Sequence, residues 1–371
     1  MDTREIWHFS HETALYLWRL AASRGGSVCS RWLASCGRSL PRGADLRGAG
    51  PHGAGFRGGL GTADKVFATS RVPRLSRVAS SHDVRSALPA GLSLPDRPIH
   101  VIVPDAAARS QSHLVVSHVW GGEIPPGAFV RVGTSIRVSS PAFTFLQLAQ
   151  HLDLPGLIRV GYELCGSYSL YSRDERGFCN REPLASPHEL VTWSRDAAGR
   201  GMRGCRLASS AADQVRGGAE SPMEAVLAML MTLPRRLGGG AFGSPELNHR
   251  IELPARLSRR LDSRSLRCDL FWPARRLDVE YNSDYAHAGS AGIARDAVRD
   301  DVLRELGVTV IRVTRPQMMD FGRCLDVVGS VGRFLRARTP SMGLRAWEER
   351  ARALHSSLLG PKAWEAAREA P

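Results

Sequence analysis

Hydrophobic and polar positions follow different periods along the chain, and these patterns divide it into ordered and irregular stretches. A helical period runs through residues 5–20, which predicts an N-terminal helix within residues 1–21. Residues 22–80 lose all periodicity and are rich in Gly, Arg, Ser and Ala. Because such a stretch buries too little apolar area to offset its ordering entropy, we predict that it is a disordered linker or insertion. Strand and helix patterns return over residues 81–166, where we expect a small α+β unit.

The most regular pattern lies in residues 221–338. Its elements follow the order helix, three strands, helix, strand and helix, which predicts a mixed sheet flanked by helices. The polar and irregular residues 167–220 are expected to be a connector with a possible helix around residues 188–194, and residues 339–371 a helical tail. The chain is therefore predicted to belong to the α/β class, and to be α+β overall.

The composition favours a folded and basic protein. The 371 residues are 43% hydrophobic, which is enough for packed cores and for more than one domain. No apolar run reaches the roughly 20 residues that a membrane-spanning helix needs, so we expect a soluble, cytoplasmic protein with no membrane partner. The net charge of +14 attracts polyanions and favours DNA as a partner. Arg accounts for all but two of the 50 basic residues, which the codon bias of a GC-rich genome would also produce.

The seven cysteines are irregularly spaced. They include no Cys-x-x-Cys pair and have no His-rich neighbour. The pattern therefore predicts neither a zinc site nor a disulfide framework, and it fits thiols in a reducing compartment.

A strand-like segment with alternating side chains carries the clearest chemical signal. In residues 277–282, successive side chains point to opposite faces of the strand. One face carries Leu277, Val279 and Tyr281, and the other carries Asp278, Glu280 and Asn282. The segment is therefore expected to have one apolar and one polar face.

The strand before it places a second acid opposite Glu280. A turn-like connection, residues 273–276, joins the two strands. If the hairpin loop has two or four residues, Trp272 pairs with Leu277, and the same register sets Asp269 opposite Glu280 with Cβ atoms about 5 Å apart. A loop of three or five residues would remove this pairing.

Two like charges so close repel each other unless something lies between them. A divalent cation would turn Asp269 and Glu280 into a binding site, since hard oxygen ligands suit Mg²⁺ or Mn²⁺. Such an ion can acidify a bound water and neutralise charge on a phosphate. The alternative is that both acids lie on a solvated edge with no ion between them.

These residues resemble a known nuclease motif. Asp269, ten intervening residues and then Glu280-Tyr281-Asn282 look like the two-part core of the PD-(D/E)XK nuclease superfamily. Three further segments are similar to the uncharacterised bacterial domain family related to very-short-patch mismatch repair endonucleases: Asn282–His287, Arg295–Asp300 and Leu306–Thr314. The resemblance covers residues 221–338, about a third of the chain.

The resemblance implies a restriction-endonuclease-like fold that hydrolyses DNA phosphodiesters with Mg²⁺ or Mn²⁺. Asp269 and Glu280 would be metal ligands, with the backbone carbonyl of Tyr281 as a possible further one. The family's helical acid corresponds to Glu224. The residues themselves also allow a capping role for Glu224, because Ser221-Pro222-Met223-Glu224 has the pattern of a capping box.

Asn282 departs from the superfamily motif, which has Lys at this position. Because Asn cannot take a proton, water activation would fall to the metal or to His287, unless His287 is an ordinary loop residue. The departure leaves open a second function, a catalytically impaired nucleic-acid-binding regulator.

Two pairs of arginines are candidates for contacts with DNA phosphates. Arg275 and Arg276 lie at the predicted hairpin tip, beside the proposed metal site. Arg295 and Arg299 recur four residues apart on one helical face, where they either contact phosphates or form a solvated, salt-bridged surface.

The N-terminal part resembles antitoxin proteins of the type IV abortive-infection class. Ser10–Leu15 and Ser140–Ala142 carry this resemblance. The sequence thus supports a metal-dependent endonuclease first, an antitoxin-type nucleic-acid-binding regulator second, and a protein-interaction factor third. It leaves the oligomeric state open.

Overall fold

The structure is a computed structural model, and its described residues fall into two units that meet in sequence at Val215 and Arg216. It describes residues 6–23, 28–29, 31–32, 72, 85, 88, 94, 98–110, 112–133, 135–171, 173–282, 290–337 and 343–361, with only the backbone for 290–294. Most of the predicted linker, residues 22–80, and the candidate base His287 lie outside the described residues.

The first unit is built on a five-stranded sheet. The strands are β1 (Trp7–Phe9), β2 (Ile99–Val103), β3 (Val115–Val119), β4 (Phe129–Arg131) and β5 (Ile136–Ser139). Their order is β3-β2-β1-β5-β4, with β1–β2 and β4–β5 antiparallel and the other two pairs parallel. The predicted strands of residues 81–166 are confirmed.

The predicted N-terminal helix is wrong for its first residues. Trp7, His8 and Phe9 form the central strand, and all three are buried. Two aromatic residues suit a pleated surface, and pairing on both sides of β1 outweighs the helical period that follows it. The helix itself, α1 (His11–Ser23), begins only after this strand.

Helices and a hairpin complete the first unit. The elements are α2 (Pro141–Leu148), α3 (Leu154–Cys165), β6 (Tyr168–Leu170), β7 (Phe178–Asn180), α4 (Pro187–Gly199) and α5 (Cys205–Ala212). Residues 167–220 are thus not the irregular connector that the sequence predicts, since they hold a hairpin and two helices. Most of the buried residues of α4 and α5 are small, as at Ala197 and Ala208, so their apolar stripes are too narrow to show clearly in the sequence.

The second unit contains the predicted mixed sheet flanked by helices, which confirms the α/β class. Its elements are α6 (Pro222–Thr232), β8 (Glu246–Glu252), α7 (Ala255–Leu261), β9 (Ser265–Trp272), β10 (Leu277–Asn282), α8 (Ser290–Glu305), β11 (Thr309–Thr314), α9 (Arg315–Met319), α10 (Phe321–Phe334) and α11 (Leu344–Leu359). The strand order is β11-β10-β9-β8, and only β10–β11 is parallel. The predicted tail helix is present as α11, and its Trp347 Nε1 donates to the backbone oxygen of Gly239 at 3.0 Å.

Strand β10 lies inside the sheet and is buried on both faces. Leu277 and Val279 on one face and Asp278 on the other are all fully buried. Asp278 and Glu280 of the polar face are therefore shielded from solvent, and a solvated edge for Glu280 is wrong; Asn282, at the strand end, is half-buried. Alternation alone could not show this, because the burial comes from the neighbouring β9 and β11 and from the helices over the sheet.

Candidate active site

The hairpin that carries the two predicted ligands has the expected register up to the acids. Trp272 pairs with Leu277 across a four-residue connection, and the ladder runs on to Leu270 and Val279. Beyond the pair of Leu270 and Val279, a side chain takes the place of a backbone acceptor on β9. Asp269 Oδ2 accepts a hydrogen bond from the backbone N–H of Tyr281 at 2.9 Å. The local chain thus aims the Asp269 carboxyl at β10.

Asp269 lies on the wall of a polar pocket of about 540 Å³. Glu220, Glu224, Asn248 and Arg299 line the same pocket. Burial raises the pKa of Asp269 to about 7, and the charge of Glu224 and, less strongly, that of Glu280 act in the same direction. The Tyr281 N–H and Arg299 oppose the rise but do not cancel it. Asp269 is therefore an acid that exchanges a proton near neutral pH.

Glu224 lies both at the capped start of α6 and on the wall of the pocket. Its backbone N–H donates to Ser221 Oγ at 3.2 Å, which caps α6. Its Oε2 accepts hydrogen bonds from Glu220 N at 2.8 Å and from Asn248 Nδ2 at 2.6 Å. Burial, assisted by the charge of Glu220, raises the pKa of the Glu224 carboxyl. The cap thus holds this carboxyl in place on the pocket wall, close enough to influence Asp269.

Glu280 is held by arginines. Its Oε1 lies 2.5 Å from Arg299 Nη2, and its Oε2 lies 3.8 Å from Arg312 Nε. Arg299 also donates to the backbone oxygen of Arg267 at 2.5 Å. Arg299, predicted on a phosphate-binding or solvated helix face, instead points into the second unit. Arg295, one turn earlier on α8, is exposed.

Asp278 is a fully buried acid that sequence reasoning assigned to the polar face without a role. Neither of its carboxyl oxygens makes a hydrogen bond within the described part of the chain. Burial raises its pKa to about 9, and the charge of Glu280, two residues along the strand, adds to the rise. The same burial, with the charge of Asp278, raises the pKa of the Cys268 thiol. Asp278 is accordingly protonated at neutral pH.

Asn282 ends β10 beside Thr314 of β11 and is half-buried. The position that carries Lys in the superfamily motif is therefore the last residue of β10, two residues after Glu280. The Asn side chain at this position can form hydrogen bonds but cannot act as a base.

The predicted hairpin arginines lie apart from the pocket. Arg275 and Arg276 are exposed in the connection that begins four residues beyond Asp269, about 13 Å along the strand. Arg276 is tied to the start of β11, where its backbone oxygen accepts from Thr309 N at 2.9 Å. The arginines that do line the pocket are Arg250, Arg267 and Arg299. Only pairing across β8 and β9 brings the first two together, which local spacing does not reveal.

The carboxylate oxygens of this site are suitable ligands for a hard cation, but few of them lie close together. Glu220, Glu224 and Asp269 line the pocket together with Arg250, Arg267 and Arg299, whereas Asp278 and Glu280 of β10 lie outside its lining, beside Arg299 and Arg312. Together these are five carboxyl groups and four arginines. Within the described residues, these acids do not form a set of three ligand atoms within 4.8 Å of one another. A cation would therefore be held by one or two carboxylates and by water, as is usual for Mg²⁺.

No protein-family model, curated protein or solved structure matches this chain. The resemblance to the PD-(D/E)XK nucleases and to the antitoxins therefore stays a prediction. Among the helices that the structure describes, none has the length and apolar character needed to span a bilayer.

Proposed function

We propose that the second unit hydrolyses DNA phosphodiester bonds with the help of Mg²⁺ or Mn²⁺. The observation that carries the proposal is Asp269, which lines an open polar pocket with Glu224 and whose pKa is raised to about 7 by burial and by the charges of Glu224 and Glu280. Carboxyls shifted this far by burial and by like charges, in a cleft, are typical of catalytic and metal-binding sites.

Each acid has a distinct role in this proposal. Asp269 and Glu280 would hold the cation, with the Tyr281 carbonyl as a further ligand. When bound, the cation would lower the pKa of its water and neutralise charge on the phosphate. Glu224, fixed by its cap, would set the charge that Asp269 experiences. The exposed Arg250 and Arg267 would contact the DNA backbone on either side.

A second candidate function is a nucleic-acid-binding regulator without catalysis. Two observations favour it: Asn282 stands where the motif has Lys, and Arg299 and Arg312 already neutralise Glu280. In that case the basic surface would bind DNA, and the acids would only support the fold.

Nicking of supercoiled plasmid by the full chain, over a series of Mg²⁺ and Mn²⁺ concentrations, separates the two functions. We expect metal-dependent nicking that falls by more than about 100-fold in both Asp269→Asn and Glu280→Gln, because each removes a charged ligand. Asp301→Asn changes an exposed acid of the same unit and is the matched control.

The outcomes are distinct. Nicking that survives both substitutions, or that needs no metal, would refute the nuclease proposal. DNA binding that weakens steeply with salt, measured by fluorescence anisotropy and without any nicking, would support the regulator instead. No affinity for DNA would refute both.

A further inference from the structure

A second cluster of ionisable side chains lies in the first unit and is independent of the proposed nuclease site. Ligand atoms of His11, His118 and His151 all lie within 4.8 Å of one another. These residues come from the start of α1, from β3 and from the turn after α2, so only the folded unit brings them together. Within the described residues this is the one set of three or more potential metal ligands that lie so close.

The imidazole of His11 is buried, and one of its two ring nitrogens, Nε2, is available as a ligand. Its side chain is 3% exposed, and its Nε2 has no hydrogen-bond partner among the described residues. Its Nδ1 lies 2.9 Å from Ser10 Oγ. If Nδ1 carries the proton and donates it to Ser10, Nε2 keeps a free lone pair that faces the cluster.

The backbone at His11 is held in an uncommon conformation. Its φ of 49° is in the left-handed region, which costs a non-glycine residue free energy. The backbone N–H of His11 donates to Gln147 Oε1 at 3.2 Å, which helps to keep this geometry. The fold thus accepts local strain that stacks the His11 ring on His118, with ring centroids 3.6 Å apart, and sets it edge-on to His151 at 5.1 Å.

Neighbouring groups form an outer layer around the three histidines. Glu12 Oε2 lies 2.9 Å from His100 Nδ1, and Glu12 Oε1 lies 3.6 Å from His151 Nδ1. His100 Nδ1 also lies 3.0 Å from His118 Nε2. Carboxylates and further histidines that orient ligating imidazoles in this way are typical of metal sites.

We propose that His11, His118 and His151 bind a transition-metal ion, with Zn²⁺ as the best match. Three imidazoles suit borderline metals such as Zn²⁺ far better than Mg²⁺. Exposed His151 and an adjoining pocket of about 530 Å³, lined by His11, His118 and Gln150, give the ion a path and leave a fourth position for water. Arg109 and Arg203 also line this pocket and oppose a free cation, and the Glu12 carboxylate offsets part of their charge.

The test is a titration of the metal-free full chain with Zn²⁺ by calorimetry, and with Co²⁺ by absorption spectroscopy. We expect one ion per chain with a nitrogen-rich Co²⁺ spectrum, and a rise in Tm on binding. His151→Ala should weaken binding by more than about 100-fold, and His100→Asn by roughly 10-fold, as a residue that positions a ligand. His188→Ala, an exposed histidine of the same unit, should bind as the unaltered chain does.

His151 is exposed, so its substitution leaves the fold intact, which circular dichroism checks. Equal Zn²⁺ affinity for His151→Ala and His188→Ala would overturn the proposal. So would a Co²⁺ spectrum dominated by thiolate charge transfer, because the ion would then be bound by cysteines. Plasmid nicking does not enter this test, so its result and that of the nuclease proposal can be told apart.

Discussion

Both units bury carboxyl groups, yet the two sets differ in how they are neutralised. In the first unit, Glu163 is 3% exposed and accepts hydrogen bonds from Arg19 at 2.9 and 2.7 Å and from Leu170 N at 3.1 Å. Burial would raise the pKa of Glu163, but the charge and hydrogen bonds of Arg19 and the charge of Arg181 outweigh it and lower the pKa. This acid is a structural anion.

In the second unit the balance is reversed. The pKa of Asp269 is raised to about 7 and that of Asp278 to about 9. Burial is the main cause at both residues; the charge of Glu280 adds to it, and at Asp269 the charge of Glu224 does so as well. Arg299 approaches Glu280 rather than these two acids. Burial alone does not mark a functional site. An excess of acids over nearby cations does, because the missing positive charge must come from protons or from a bound ion.

The largest effect is expected at Glu163. Glu163→Gln would remove the carboxylate charge that pairs with the Arg19 guanidinium, which is only 10% exposed. Loss of one partner of a buried pair costs about 3–5 kcal/mol, so the first unit should unfold at much lower urea. The free energy of unfolding of each unit can be measured by urea unfolding, followed by pulse-labelling hydrogen exchange on peptides from that unit.

The control for this change is an exposed pair in the same unit. Asp174→Asn removes the partner of Arg176, whose side chain is 57% exposed, and should change the urea midpoint of the first unit very little, because solvent screens this pair. Equal losses for the two variants would contradict the view that Glu163 is a structural anion.

The next effect is an opposite response of the two units to pH. The lowered pKa of Glu163 gives stability that is present above the unfolded value of about 4.5 and is lost as pH falls. The raised pKa of Asp278 gives stability that is complete below about 4 and is lost as pH rises toward about 9. Between pH 5 and pH 8, only the second unit should weaken from these groups.

The substitution Asp278→Asn isolates the contribution of Asp278 to the pH dependence of stability. An amide has the shape of the protonated acid and needs no proton on folding, so the stability of the variant relative to the unaltered chain should rise by about 4 kcal/mol from pH 5 to pH 8, at about 1.4 kcal/mol per pH unit. Urea unfolding at the two pH values measures the difference. A loss of stability at pH 8 would mean that Asp278 is ionised in the folded chain.

The sequence predicts those parts of the site that local spacing determines. The four-residue connection fixed the pairing of Trp272 with Leu277, and Ser221 with Glu224 marked the helix cap. What it could not predict comes from long-range contacts. The parallel pairing of β11 with β10 buries Asp278, and the return of α8 over the sheet brings Arg299 to Glu280. Likewise, the pairing of β1 with β5 and the approach of His11 to His118 and His151 join residues more than a hundred positions apart.

The smallest net effect is expected at Glu280, where two contributions oppose each other. Glu280→Gln removes the partner of Arg299, which is destabilising, but it also removes a charge that raises the pKa of Asp278 and Asp269. Arg312 keeps Asp300 as its partner, with Nη1 donating to Oδ2 at 2.7 Å. The net loss should therefore be about 1 kcal/mol at pH 7, well below the loss at Glu163.

The carboxyl titrations decide whether this cancellation is real. Nuclear magnetic resonance of the Asp side-chain carbons should show the pKa values of Asp278 and Asp269 falling in Glu280→Gln, because one like charge has gone. If those values stay where they are and the stability loss equals that of Glu163→Gln, Glu280 is a structural anion like Glu163. The acid excess in the second unit would then no longer distinguish it from the first.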